Sequence, residues 1–335
     1  MSDHSKIEWT DASWNPIRAR YTPEGGPARK GWGCVKVSPG CANCYAERVN
    51  MRLGNGRLYA SHSQPEPAYQ YYLDEKALRL PLTWRWRRPR RVFVCSMTDL
   101  FGEWVTDHEI TRVFNVMRRA PQHTFQVLTK RSARMLAWFR SMRYPADRPM
   151  AWEGAPWPLP NVWLGVSVED QLRAEERIPD LLLTPAAVRW VSAEPLLGPV
   201  NLWPWFEPEL MAFGEATGKA AVMSQALHWV VAGGESGPGA RAMHPDWAKL
   251  LRNQCADAGV PFFFKQWGAW APNCLCGKAA SCLYVQRPEP GKLGLMFRCG
   301  KKAAGRILDG RTWDEYPDDG TAKRRDAAST LGVPA

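Results

Sequence analysis

Short runs of β-branched and aromatic residues alternate along this chain with stretches whose apolar residues recur at helical spacing. The runs predict strands over Val92 to Met97, Thr124 to Thr129, Asn161 to Val168, Val188 to Ala193, Trp229 to Ala232 and Pro261 to Gln266. The intervening periodicity predicts helices over His108 to Arg119, Ser132 to Arg140, Gln171 to Leu183 and Pro245 to Ala258, with Asp107 and Asp170 as N-caps of the first and third. Strand and helix in regular succession read as βα units on a parallel sheet. Six or more units predict an α/β fold, a complete or partial (β/α) barrel.

Each predicted strand ends in small or polar residues: Met97-Thr98-Asp99, Thr129-Lys130-Arg131, Ser167-Val168-Glu169-Asp170, Ser192-Ala193-Glu194-Pro195 and Gly233-Gly234-Glu235-Ser236. In such folds the C-terminal strand ends face the active site, so ligand contacts are expected there. A first strand is expected near Asn15 to Arg20, followed by a Gly/Pro-rich loop that joins the same rim. Residues 20 to 33 and 141 to 160 read as insertions. The pattern fades after Lys265, so the expected organisation is a barrel domain over 1–270 and an irregular, cysteine-containing extension over 271–335.

Charge adds a partner. The 335-residue chain carries 44 Lys and Arg against 33 Asp and Glu, a net +11, which favours a polyanion because phosphate neutralisation releases counterions. Trp84-Arg85-Trp86-Arg87-Arg88-Pro89-Arg90-Arg91 interleaves guanidinium groups with indoles. It reads either as a base-stacking patch or as a solvated lead-in to the next strand with its indoles packed on the domain. No apolar run is long enough to span a bilayer and no secretory signal opens the chain, so the expected location is the cytoplasm, without a membrane partner.

The candidate chemistry lies in the Gly/Pro-rich loop, where Cys34, Cys41 and Cys44 follow a Cys-x6-Cys-x2-Cys spacing. Three thiolates can hold three irons of an iron–sulfur cluster and leave the fourth open to a substrate or cofactor. The alternatives are zinc, which needs a fourth Cys or His and has only His4 and His62 as nearest candidates, and disulfides, which a reducing compartment disfavours. A second set, Cys274, Cys276, Cys282 and Cys299, could hold zinc or a second cluster. Cys95 and Cys255 read as small buried hydrophobes.

The cysteine loop and the preceding Ile7-Glu8-Trp9-Thr10-Asp11-Ala12-Ser13-Trp14-Asn15-Pro16 resemble the three-Cys-motif phage protein family, whose members look like radical S-adenosylmethionine (SAM) enzymes. The likeness continues through Ser96-Met97-Thr98-Asp99-Leu100-Phe101, Leu128-Thr129-Lys130-Arg131, Trp163 to Glu169, Ser192 to Gly198, Gly233 to Gly237, Phe263 to Gly268 and Gly305 to Trp313. The resemblance implies a barrel of radical SAM type, with a [4Fe-4S] cluster on Cys34, Cys41 and Cys44 and SAM on the open iron. It gives candidate roles by position: Ser96 and Asp99 for the SAM amine, Ser167 and Glu169 for the ribose, and Gly233, Gly234 and Glu235 for the adenine or carboxylate. Glu194 would accept from a substrate amine, and Lys130 and Arg131 would hold a phosphate or carboxylate. For each residue the alternative is a strand-end hydrogen bond or a helix cap.

The resemblance further implies phage DNA hypermodification. The expected activity is an isomerase that converts an N-linked glycyl thymidine to its C-linked form, using an electron donor such as flavodoxin or ferredoxin, in a genome protected from host restriction. The location would then be the host cytoplasm. Another radical SAM nucleic-acid enzyme, acting on a photoproduct or on RNA, and a non-catalytic metal-stabilised nucleic-acid-binding protein are the alternatives.

Overall fold

The computed structural model describes residues 5–61, 69–83, 86–142, 149, 152, 154, 156–206, 227–272, 282–286 and 293–317. The first part of the chain runs β1 (Ala12–Trp14), β2 (Ile17–Tyr21), β3 (Arg29–Gly31), α1 (Tyr45–Leu53), β4 (Gln70–Leu73), α2 (Glu75–Leu78) and β5 (Arg91–Val94). Then follow α3 (Asp107–Arg119), β6 (Thr124–Thr129), α4 (Ser132–Ser141), β7 (Val162–Ser167), α5 (Gln171–Leu183), β8 (Val188–Ala193), β9 (Trp229–Gly233), α6 (Pro245–Asp257) and β10 (Phe262–Gln266). The last elements are β11 (Trp270–Ala271), β12 (Cys282–Gln286), β13 (Leu293–Arg298) and α7 (Lys301–Ala304).

Seven strands form one parallel sheet in the order β1-β5-β6-β7-β8-β9-β10, curled into a half-barrel. Because side chains alternate along a strand, each strand feeds two different cores. Val92, Val94, Phe125, Val127, Leu164, Val166, Val191, Val230, Ala232, Phe262 and Phe264 join the main core with residues of α3, α4, α5 and α6. The intervening positions Phe93, Trp163, Trp190, Trp229, Val231 and Phe263, with Trp9, form a second cluster of mostly aromatic residues. Trp9 meets Trp190 and Trp229 with ring centroids 5.1 and 6.3 Å apart, edge to face.

Two further residues along several of these strands the inward position turns polar: Ser167 lies above Gly165, Ser192 above Trp190, Lys265 above Phe263. The alternation that builds an aromatic floor thus builds a polar rim over it. Close approach dictates Gly165, whose added Cβ would lie 2.5 Å from the Trp190 indole.

Several expectations change in detail. The strand expected near Asn15 to Arg20 divides: β1 enters the parallel sheet, while β2 pairs antiparallel with β3 and β4 in a separate three-stranded sheet. The supposed insertion at 20 to 33 therefore includes half of a hairpin. Thr106, not Asp107, caps α3, because its hydroxyl accepts from Glu109 N while the Glu109 carboxylate accepts from Thr106 N in a capping box. Asp170 caps α5 as expected, accepting from Arg173 N at 2.9 Å.

The extension is more ordered in its described parts than its sequence suggests. β11, β13 and β12 form an antiparallel sheet, and residues 313 to 315 pair with the free edge of β10 through Phe264 N to Trp313 O at 2.9 Å and a bridge between Phe263 and Asp314. This covers an edge strand that would otherwise stay open. Tyr316 then stacks on Trp229 at 5.2 Å and beneath Arg91 at 3.8 Å, against the end of the half-barrel opposite the polar rim. Among the described residues no helix is long and apolar enough to cross a membrane.

Gly165→Ala should overpack a rigid indole and lower unfolding stability by about 1–3 kcal/mol, read by denaturant titration. An unchanged midpoint would show that the Trp190 layer yields freely.

Candidate functional site

The loop that follows β3 carries all three motif cysteines. Cys34 follows Gly33, Cys41 ends a short 3-10 turn over Pro39–Cys41, and Cys44 occupies the N-cap position of α1. All three are free and half-buried, and they line one cavity of about 210 Å³. Burial raises the Cys34 thiol pKa, with Arg131 pulling the other way and Cys44 and Cys41 adding to the rise. Burial also raises Cys44, against the backbone N–H groups of Glu47 and Ala46 at the start of α1.

The rest of the cavity wall is the C-terminal rim of the half-barrel. Ser96, Asp99, Lys130, Arg131, Ser167, Ser192, Glu194, Gly234, Glu235 and Lys265 line it, above Trp9, Phe93 and Leu128 of the floor. Four contacts hold the cysteine loop over this rim. Ser38 Oγ donates to the Glu169 carboxylate, Thr98 Oγ1 donates to Gly33 O at 2.6 Å, Arg131 Nη2 to Val35 O at 3.1 Å and Arg241 Nη2 to Pro39 O at 2.9 Å.

Glu169 is the buried hub of these contacts. It is 0% exposed and accepts from Lys130 Nζ at 2.8 Å and Arg177 Nη1 at 3.1 Å. Burial works to raise its pKa, but Lys130, Arg177 and the Ser38 hydroxyl prevail and hold the carboxyl below its ordinary value. Gly40 must be glycine here, because an added Cβ would stand 2.4 Å from Glu169 Oε1.

The carboxylates expected to meet ligand thus have different surroundings. Asp99 accepts from Thr129 Oγ1 and Phe101 N with one oxygen and from Lys130 N and Arg131 Nη1 with the other, so both are engaged in shaping the rim. Glu235 accepts from Asn43 Nδ2 at 2.9 Å and from three N–H groups of Arg241, which joins α1's lead-in to the β9 rim. Burial opposes its ionisation, and the Arg241 contacts hold its pKa below the usual range. Neither Glu169 nor Gly233 lines the cavity, and Gly234 is required because its Cβ would strike Trp267 O at 2.0 Å.

Glu194 sits with a cation that sequence reasoning passed over. Lys265 Nζ donates to its two oxygens at 2.7 and 2.8 Å, and Gln266 Nε2 donates to Oε1 at 3.2 Å. The signal for Lys265 was its place at the end of a strand, inward by alternation from Phe263. Tyr45, whose hydroxyl donates to Ser96 O at 2.6 Å, also lines the cavity without having been singled out. Cys95, expected to be plain core, packs in the main core and lines the cavity too, at a φ of 55°.

Three thiols that line one cavity could hold an iron–sulfur cluster. Among the described residues no three Cys, His, Asp or Glu side chains converge as on one metal ion. Among the described residues no histidine lines the cavity, and His4 and His62 lie outside the described residues. Of the second cysteine set, Cys274 and Cys276 lie outside the described residues; Cys282 opens β12 and Cys299 follows β13, where its Sγ stands 3.6 Å from Phe297 O.

A family model described as a protein of unknown function (DUF5131) matches residues 4–317. The chain belongs to this family. That match spans the whole half-barrel, the cysteine loop and the strand that covers β10, so the DUF5131 unit includes every residue of the cavity. Comparison with curated proteins and comparison with solved structures each give no match.

In this DUF5131 protein Glu169→Gln should leave Arg177 and Lys130 without a counter-charge, lower stability by about 3–5 kcal/mol and speed thiol labelling of Cys41. Acid should act in the same direction: the stability given by the depressed Glu169 pKa is present above the ordinary carboxylate range and is lost as pH falls through the lower native value. Unchanged labelling of the variant would mean that the loop is held elsewhere.

Proposed function

We propose that this protein is a radical SAM enzyme that acts on hypermodified thymidine in DNA, moving a glycyl substituent from an N-linkage to a C-linkage. The observation that carries the reading is the sharing of one cavity by Cys34, Cys41 and Cys44 and by the C-terminal rim of a parallel half-barrel. Parallel α/β sheets place their chemistry at that rim. The sequence resemblance and the net charge of +11 support the nucleic-acid substrate.

Cys34, Cys41 and Cys44 would hold the [4Fe-4S] cluster. With SAM on its fourth iron, such a cluster supplies one-electron chemistry that takes hydrogen from an unactivated carbon, given an electron from a flavodoxin- or ferredoxin-type donor. The chain's own residues bind and exclude. Trp9, Phe93 and Leu128 give an apolar floor that keeps water from a reactive carbon. Lys265 and Glu194 form a charge-balanced pair whose partners can be exchanged for the carboxylate and the amine of a glycyl group. Ser96, Ser167 and Ser192 offer hydroxyls around the same space. The isomerisation breaks one C–N bond and the α-carbon's C–H bond, forms one C–C bond and one N–H bond, and leaves the formula unchanged.

The test is an anaerobic reaction of reconstituted protein with SAM and dithionite, with and without DNA carrying glycyl-modified thymidine. The expected products are 5′-deoxyadenosine and an isomeric nucleoside of unchanged mass, both lost in Cys34→Ala. Cleavage of SAM with an unaltered nucleoside would remove the substrate and leave the radical enzyme. No cleavage by iron-loaded protein would remove both.

A further inference from the structure

The antiparallel sheet β3-β2-β4 projects two kinds of residue. On one face Arg18 lies opposite Tyr72, and Arg20 lies opposite both Gln70 and Lys30. Directly opposed residues share a face, so this surface presents three cations and an aromatic ring. Arg20 stacks on Tyr72 at 5.3 Å and Arg18 on Trp32 at 4.4 Å. Arg57, which stacks on Tyr21 at 4.6 Å, and the exposed Arg29, which pairs with Tyr21 across the strands, belong to the opposite face.

Most of this charge is uncompensated. Arg18 has Asp74 at 4.0 Å, whereas Arg20 and Lys30 have no carboxylate partner among the described residues. Partly exposed arginines elsewhere are paired, as in Arg112 with Glu75 and Arg173 with Glu176. Guanidinium groups held over aromatic rings suit a phosphate and the face of an unstacked base together.

The sheet is also continuous with the cavity. β3 leads through Trp32 and Gly33 into Cys34, and Trp32 packs with Tyr59, Met97, Cys34 and Cys44. From β4, Tyr71 presses on Gly33, where an added Cβ would stand 2.8 Å from the Tyr71 hydroxyl. A strand held on this sheet would lie beside the cysteine loop.

The basic run seen in the sequence is placed differently. Trp86 is fully buried, Arg90 stacks on it, and Arg91 is tied to Asp11 and Tyr316. Arg87 and Arg88 stay exposed, but at the end of the half-barrel opposite the cavity.

We infer that the face of the β3-β2-β4 sheet that carries Arg18, Arg20, Lys30 and Tyr72 is a docking surface for a single-stranded or locally opened segment of nucleic acid, held by its phosphates on Arg20 and Lys30 so that one base enters the cavity. The inference rests on the nucleic-acid part of the proposed function and not on the cluster.

The experiment measures anisotropy of a labelled single-stranded DNA with the full chain, purified anaerobically, over a range of salt. Arg20→Glu with Lys30→Glu should weaken binding on the order of tenfold at low salt and flatten the salt slope by about one for each lost phosphate contact. Arg87→Glu with Arg88→Glu changes net charge equally and should leave binding intact. Equal loss in both double variants would overturn the surface, since net charge alone would then be the cause. Binding that is unchanged in Arg20→Glu with Lys30→Glu, preference for closed duplex, or no binding by wild type would overturn it as well. Iron content and SAM cleavage measured on the same preparations report separately on the radical reading, and thermal melts show that each variant is folded.

Discussion

A buried carboxylate, Glu169, is the charged hub among the ties that hold the cysteine loop to the barrel. Glu169, fully excluded from solvent, joins Lys130 from the end of β6, Arg177 from α5 and Ser38 from the loop itself. Ionic groups so deep are costly to desolvate and persist only when their hydrogen-bonding capacity is filled. Here each partner comes from a different element, so the charge cluster fixes where three pieces of chain meet. The loop carries the cysteines and has little regular structure of its own, so its position over the cavity depends on such ties.

Beneath the loop the site is a consequence of strand register. Trp163, Trp190, Trp229 and Phe263 pack together on the concave face, and Ser167, Ser192 and Lys265, two residues further along their strands from Gly165, Trp190 and Phe263, line the cavity. The lower level is sealed further by Tyr316, brought in by the strand that covers β10. A cavity with an apolar floor, a hydrogen-bonding rim and a thiol-lined wall follows from alternation applied to this sequence. The same three features suit chemistry in which a reactive carbon must meet its target and little else.

Much of this could be read in advance, because long periodic segments report their own structure. β6, β8 and α5 occupy the residues that their patterns predict, and the strand ends named as ligand sites do converge on one rim. What stayed hidden depends on contacts far apart in sequence. Nothing local distinguishes Glu169, which is buried under the loop, from Glu194, which lines the cavity. Lys265 gains meaning only beside Glu194, 71 positions away. The hairpin β2-β3 was masked by Gly and Pro in its turn, and the covering strand at residues 313 to 315 has too few residues to show a period. Of the two readings open for the basic run, the burial of Trp86 and the stacking of Arg91 on Tyr316 bear out the lead-in to β5 with its indole packed on the domain.

The central claim is that Cys34, Cys41 and Cys44 hold an iron–sulfur cluster with one iron open to the cavity. It is tested most directly by electron paramagnetic resonance of the anaerobically reconstituted, dithionite-reduced protein, recorded before and after addition of SAM. A site-differentiated [4Fe-4S] cluster predicts a reduced-cluster signal that changes when SAM binds and is absent when Cys34, Cys41 and Cys44 are all replaced by alanine. Iron that does not bind, tightly held zinc in its place, or a signal indifferent both to SAM and to loss of the three cysteines would contradict it.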